Sequence, residues 1–197
     1  MIEVINTDIE GLLIIKPSLF HDSRGSFAEV FSQREFDEKG GRTEFVQDNE
    51  SRSGRGVLRG FHYQLPPAAQ AKLVRVSEGR VLDVALDMRK GSPTLGRYCA
   101  VELSSENGLQ LFIPRGFAHA FLVLSVEAVV DYKCDNYYSP EQARGVAFDD
   151  PAVGVYWGMS PGELILSDKD RVNPAIADAA SFDLKPGSYQ GECWLRA

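Results

Sequence analysis

Short apolar runs broken by turn residues set the rhythm of this chain. Leu12-Leu13-Ile14-Ile15 is stopped by Lys16-Pro17, and Ser26 to Phe31 alternates between apolar and polar positions. Phe45 to Asn49, Gly56 to Leu58, Lys72 to Val76 and Arg80 to Asp87 follow, then Tyr98 to Leu103, Leu109 to Ile113, His119 to Leu124 and Ala128 to Tyr132. Turn residues recur about every ten positions, which predicts an all-β sandwich or barrel rather than alternating β-α units. Helical spacing is confined to Gln33–Lys39 and Lys169–Ala180. Ser32, with Glu35 three residues on, reads as a capping box for the first of these. From Ser160 the chain is punctuated by Pro and Gly, as expected of an extension wrapped on a barrel. The reading is one domain over 1–197, with an N-terminal strand region over about 1–20 and a C-terminal extension over about 160–197.

One stretch of this pattern carries unusual chemistry. Arg59-Gly60-Phe61-His62-Tyr63-Gln64 runs as a strand into a turn with two prolines, and Lys72-Leu73-Val74-Arg75-Val76 runs out of it. By strict alternation Arg59, Phe61 and Tyr63 share one face, and Gly60, His62 and Gln64 the other. A histidine, cations and a glutamine within an apolar sheet are costly to bury unless each has a partner. They read either as a sheet edge with solvated charges or as an anion pocket beside a general base.

Composition narrows the classes. The 197 residues carry 44% hydrophobic and 25% charged residues and a net charge of −7, the profile of an ordinary globule with no general nucleic-acid footprint. A local basic cluster for an anionic ligand remains compatible with that charge. Cys99, Cys134 and Cys193 show no metal-type spacing, and an odd, sparse count fits a reducing compartment. No apolar run reaches membrane-span length, and Met-Ile-Glu-Val does not open a signal peptide. A cytoplasmic location, with no membrane and no nucleic-acid partner, is expected.

Gly108, then Pro114-Arg115-Gly116-Phe117-Ala118-His119, has the form of the second motif of the cupin jelly roll. Metal-binding cupins take two histidines and a glutamate from their first motif; here that region offers His62 alone, followed by Tyr63 and Gln64. A transition metal wants three or four protein ligands, so no metal and no cofactor are expected. His119 itself can equally be a core histidine satisfied by a neighbour.

Eight segments together carry a wider resemblance. They are Asp22 to Phe27, Gln47 to Ser51, Arg59 to Gln64, Gln70 to Val74, Gly91 to Thr94, Ile113 to His119, Tyr137 to Pro140 and Leu166 to Asp170. In this order, over nearly the whole chain, they resemble the dTDP-4-dehydrorhamnose 3,5-epimerase family. The resemblance implies a mainly β, metal-free cupin jelly roll with a few short helices. It implies a homodimer and a dTDP-linked 4-keto-6-deoxyhexose as substrate. The implied catalytic set is His62 as base, Asp170 as the carboxylate orienting it, Tyr132 as acid on the opposite face and Lys72 as the cation for the enolate. Epimerisation beside a ketone needs such a set, because a proton leaves one face and returns on the other while charge builds on the carbonyl oxygen. A free imidazole titrates near about 6.5 and a phenol near about 10, which suits base and acid. Asp83 is a rival partner for His62 that spacing does not exclude.

The same resemblance implies Arg24 and Arg59 as nucleotide-contacting arginines, whose forks suit phosphate. It implies Glu29, Gln47, Asn49, His119 and Lys169 as further substrate contacts. Tyr138 either stacks on the base or is a surface aromatic. Arg75 and Arg115 read as solvated. Ala143 departs from an acidic residue usual near that position, with Glu141 as a possible substitute. Ala120 replaces a glycine and is expected to narrow the pocket, and Gly158 stands where a proline often follows tryptophan. The apolar strand Leu12–Ile15 is a candidate to cross between subunits. A single-carbon epimerase and a non-catalytic nucleotide-sugar-binding cupin are the alternatives, with a metal-dependent cupin oxygenase behind them.

Overall fold

The computed structural model describes residues 1–183. Cys193 and the end of the expected extension, 184–197, lie outside the described residues. The chain opens with β1 (Ile2–Asn6), β2 (Leu13–Pro17), a small hairpin of β3 (Phe20–Asp22) and β4 (Gly25–Phe27), and helix α1 (Gln33–Lys39). It continues with β5 (Gln47–Gly54), β6 (Leu58–Gln64), β7 (Lys72–Glu78), β8 (Arg80–Asp87), β9 (Arg89–Lys90) and β10 (Tyr98–Ser104). Then come β11 (Gln110–Ile113), β12 (Phe117–Val123), β13 (Glu127–Cys134), β14 (Ala143–Gly145), helix α2 (Asp168–Arg171) and β15 (Phe182–Asp183).

Two antiparallel sheets pack face to face, in the orders β1-β2-β11-β7-β13-β5 and β10-β8-β12-β6-β14. This is the all-β sandwich expected from the strand rhythm, in the jelly-roll form that the resemblance implies. The interior follows from alternation. Val74 and Val76, Val130, Val81 and Ala85, and Phe117, Phe121 and Val123 form one buried cluster between the sheets. Lys72, Tyr132, Asp83 and His119 have the same parity on β7, β13, β8 and β12. A sandwich core of valines and phenylalanines is thus built around four polar side chains.

Each sheet is also covered on its outer face. Phe36 of α1 packs with Leu13, Ile15, Leu73 and Phe112 over the larger sheet. Trp157, Leu164 and Phe182, from the late part of the chain, pack with Leu58, Phe61, Tyr63 and Leu122 over the smaller one. The expected wrapping extension is therefore a third layer that seals the strand bearing His62.

Several local expectations give way to tertiary context. β1 falls within the expected N-terminal strand region although no strand was expected at Ile2–Asn6 itself, and Ser26 to Phe31 contributes strand only through Phe27. Ser32 is the N-cap of α1 but makes no side-chain capping bond, and the Glu35 carboxylate, the other half of the expected box, lies 3.4 Å from the N-terminal amine. The helix expected over Lys169–Ala180 is only Asp168–Arg171, ended ahead of Pro174, which the preceding backbone cannot continue as a helix. Arg115 is not simply solvated: its Nε donates to Asp135 Oδ2 at 2.8 Å.

The departure that matters most is on β6. Its pairing with β12 slips between His119 and Phe121, so that His62 faces His119 and Arg59 faces Phe121. This bulge at Gly60 resets the alternation. Leu58, Phe61 and Tyr63 go to the outer cluster, while Arg59 reaches across to Ser53 Oγ of β5 at 3.1 Å from Nε. Arg59 and His62 thus share the interior side, against strict alternation. Gly60 has φ +128°, and a Cβ there would lie 2.4 Å from the Ala120 Cβ. Ala120 accordingly belongs to the outer packing and does not narrow the cleft. Gly60→Ala is expected to cost about 3 kcal/mol or more of stability through clash and backbone strain, measured by urea denaturation against wild type.

Candidate active site

A cleft of about 400 Å³ opens at one end of the interior, lined by His62, Lys72, Tyr132 and Asp170 together with Gln47, Asn49, Tyr138 and Lys169. Its central contact joins residues 108 positions apart: His62 Nε2 lies 2.5 Å from Asp170 Oδ1. Asp83 pairs instead with His119, Oδ2 to Nε2 at 2.9 Å. The choice of partner for His62 is thereby made by the fold in favour of Asp170.

Asp170 is only 4% exposed, and local structure prepares it. Ser167 is the N-cap of α2, and its hydroxyl accepts the Asp170 N–H at 3.1 Å. Burial alone would raise the carboxyl's pKa. The hydrogen bond and charge of His62, the Ser167 hydroxyl and the backbone N–H of Gly60 outweigh it and hold the pKa below its ordinary value. The bulge that turns His62 inward thus also supplies a donor to the carboxylate that orients it.

The remaining groups respond to the same dry interior. Burial pulls Lys72 below the usual lysine range, opposed by Cys134 once its thiol ionises and by the charge of Asp83. Although Lys72 keeps some surface in the cleft, protein rings its ammonium, which sits 5.7 Å from the centroid of the Tyr132 ring. Burial also raises Tyr132, helped by Cys134 and opposed by Arg59. His119 is lowered, again chiefly by burial, against the pull of Asp83. Cys134 is pushed up to about 11 by burial. The site therefore holds a neutral phenol, a neutral thiol, and an imidazole whose second nitrogen is left free by its carboxylate partner.

A sequence model described as dTDP-4-dehydrorhamnose 3,5-epimerase matches residues 6–178. The Shigella flexneri dTDP-4-dehydrorhamnose 3,5-epimerase is 51% identical over 180 residues, 91% of this chain and 98% of its own. The Methanothermobacter thermautotrophicus enzyme of the same name is 49% identical over 168 residues, 85% of this chain and 90% of its own. A Legionella pneumophila dTDP-6-deoxy-D-glucose-3,5-epimerase, solved in complex with dTDP-4-keto-L-rhamnose, superposes with a TM-score of 0.86 at 45% identity. That match covers 90% of this chain and 94% of the Legionella chain. The chain belongs to the dTDP-4-dehydrorhamnose 3,5-epimerase family.

Within this family member the residues singled out from sequence fall into three groups. His62, Lys72, Tyr132, Asp170, Gln47, Asn49, Tyr138 and Lys169 meet at the cleft. Gln47 takes the Tyr138 N–H at 3.1 Å and gives its own amide to Asn49 at 3.0 Å, so these three form one polar wall. Arg59 and His119 flank it without lining it: Arg59 holds Ser53, and His119 lies buried beneath. Arg24 and Glu29 stand apart. Arg24 is 88% exposed and bound to Asp22 of its own hairpin, and Glu29 is exposed in the segment after it.

Sequence reasoning passed over Gln64, Gln70, Cys134 and Ser167, which also line the cleft. Gln64 is fully engaged, donating to the carbonyls of Ala68 and Tyr137 and accepting from the Ser139 N–H. Ser167 could have been found, because Ser three residues before an acidic residue is a helix-start pattern. Ala143, where an acidic side chain was expected, does line the cleft. Glu141 does not replace it: it is exposed, and its carbonyl accepts from Arg144 at 2.8 Å.

The depressed pKa of Asp170 gives a signed expectation. Its contribution to stability is fully present above the ordinary value of 3.8 and is lost as the pH falls through the lower folded-state value. Asp170→Asn should be less stable than wild type by about 1–3 kcal/mol at neutral pH. That gap should close on acidification below about pH 4, as measured by denaturation curves across pH.

Proposed function

We propose that this protein epimerises C3 and C5 of dTDP-4-dehydro-6-deoxy-D-glucose, giving dTDP-4-dehydro-L-rhamnose. The observation that carries the reading is one cleft holding a carboxylate-oriented imidazole, an ammonium and a buried phenol. Both carbons flank the C4 ketone. His62 takes the proton from one of them, and the electron pair moves into the C4–oxygen bond as an enolate. Lys72 stabilises that oxygen, and the charge on Asp170 supports the imidazolium that forms. Tyr132 returns a proton to the opposite face as the carbonyl re-forms; His62 then gives its proton to solvent, Tyr132 regains one from solvent, and the sequence repeats at the second carbon. Burial keeps the phenol protonated until that moment. Gln47, Asn49, Arg59, Lys169 and Tyr138 hold the nucleotide diphosphate, with His119 packed below. No cofactor takes part in this scheme.

The whole of 1–197 is read as one epimerase domain that works as a homodimer in the cytoplasm, without nucleic-acid or membrane partners. Among the described residues no helix is long and apolar enough to cross a membrane. The dimer reading has a different basis from the one first considered. β2 is built into its own sheet between β1 and β11, which gives no support to Leu12–Ile15 as the strand that crosses between subunits. The hairpin of β3 and β4 instead exposes Phe20 at 55% and Phe27 at 69%, with Arg24 beside them. On this reading Arg24 and Glu29 reach a substrate only in the second copy's cleft.

In deuterated water the wild type should exchange both C3 and C5 hydrogens of the substrate. His62→Ala should slow exchange about 10²–10⁴-fold, and Lys72→Met about 10²–10³-fold. Unimpaired exchange in His62→Ala would remove it as the base. Exchange at one carbon alone would identify a single-carbon epimerase, and thermal stabilisation by the nucleotide sugar without exchange a binding protein. Sedimentation should give two copies for wild type and one for Phe20→Ser/Phe27→Ser, with turnover lost alongside.

A further inference from the structure

Beneath the cleft lie two unmatched charges of opposite sign. Asp83 of β8 is wholly buried. Its Oδ2 meets His119 Nε2 at 2.9 Å, but its Oδ1 has no hydrogen-bond partner among the described residues. Lys72 enters the same interior from β7. It has the Tyr132 ring beside it but, among the described residues, no carboxylate within ion-pair distance. A buried carboxylate oxygen with no donor is costly, and so is an ammonium withdrawn from water without a counter-charge. Each group supplies what the other lacks.

We propose that Asp83 is the positioning residue for the ammonium of Lys72: its unmatched oxygen is the counter-charge that holds Lys72 toward the cleft, while its other oxygen fixes the ring of His119. The use of Lys72 against an enolate rests on the function proposed above; the pairing itself does not.

The other groups facing Lys72 leave this task to Asp83. From β13 come Tyr132 and Cys134; the thiol, at about 11 through burial, carries no charge near neutrality. His119 of β12 is lowered, mainly by burial. His62 of β6 is engaged by Asp170 of α2, whose own bonds go to His62, Ser167 and Gly60. Arg59 and Lys169 are cations and oppose an ammonium. β11, the other neighbour of β7, carries no titratable side chain over Gln110–Ile113. Burial pulls Lys72 down; Cys134 pushes it up only where its thiol has ionised, and Asp83 pushes it up as well. Removing the Asp83 charge should therefore let Lys72 lose its proton at lower pH.

The test labels substrate-free protein with acetic anhydride across pH and follows Lys72 by mass spectrometry. In Asp83→Asn the half-maximal reactivity of Lys72 should move to lower pH by about one unit or more; an unmoved midpoint overturns the proposal. Because no turnover is needed, this result stands or falls apart from the identity of the sugar. In the exchange assay Asp83→Asn should shift the alkaline limb of kcat downward with little change in KM, whereas a loss equal at all pH values would mark Asp83 as merely structural. Should Asp83→Asn not fold, Lys72→Met and Lys72→Met/Asp83→Asn complete the test. The double variant should melt above Lys72→Met, since the buried charge whose second oxygen has no donor is then removed. A double variant that melts below it overturns the pairing.

Discussion

The bulge at Gly60 is the constraint on which the site depends. Without it, alternation along β6 would send Arg59 to the apolar outer layer and leave His62 out of step with β12. With it, Phe61 and Tyr63 join Trp157 and Phe182 outside, and Arg59 and His62 turn inward. The same residue gives its N–H to Asp170. A side chain is excluded there by the close approach of Ala120 and by a left-handed backbone. One glycine thus sets the register of the strand, the inward turn of His62 and part of the charge on its partner Asp170.

Around that point the interior sorts ionisable groups by how many partners each finds. Lys72, His119, Tyr132 and Cys134 are all shifted toward their uncharged forms, with burial the leading cause in each case. Asp170 is the exception, because three neighbours donate to it. This contrast is what acid–base chemistry at carbon asks for: a phenol that keeps its proton, and a fixed negative charge set against an imidazole. The apolar jelly-roll core is the medium that makes those differences large.

Much of this was legible in the order of residues. The strands followed from alternation and turn spacing, because a half-buried sheet writes its faces into the chain directly. Lys72, His62, Tyr132 and Asp170 were recognisable through the family resemblance, and the fold brings them to one cleft. The face of Arg59 was not legible, because a bulge leaves no mark on hydrophobic pattern beyond a glycine. Nor was the choice between Asp83 and Asp170, since pairing across a hundred residues is decided by which strands lie side by side. Arg24, on the β3–β4 hairpin, and Glu29, just after it, stand away from the cleft of their own chain.

The position of Asp170 late in the chain has a consequence for synthesis. The strands of both sheets are complete once β14 has emerged, whereas the carboxylate that polarises His62 follows more than twenty residues later. A nascent jelly roll held at the ribosome would bear its imidazole unpaired and would be chemically silent. The His62–Asp170 contact can form only once the covering third layer has closed over β6.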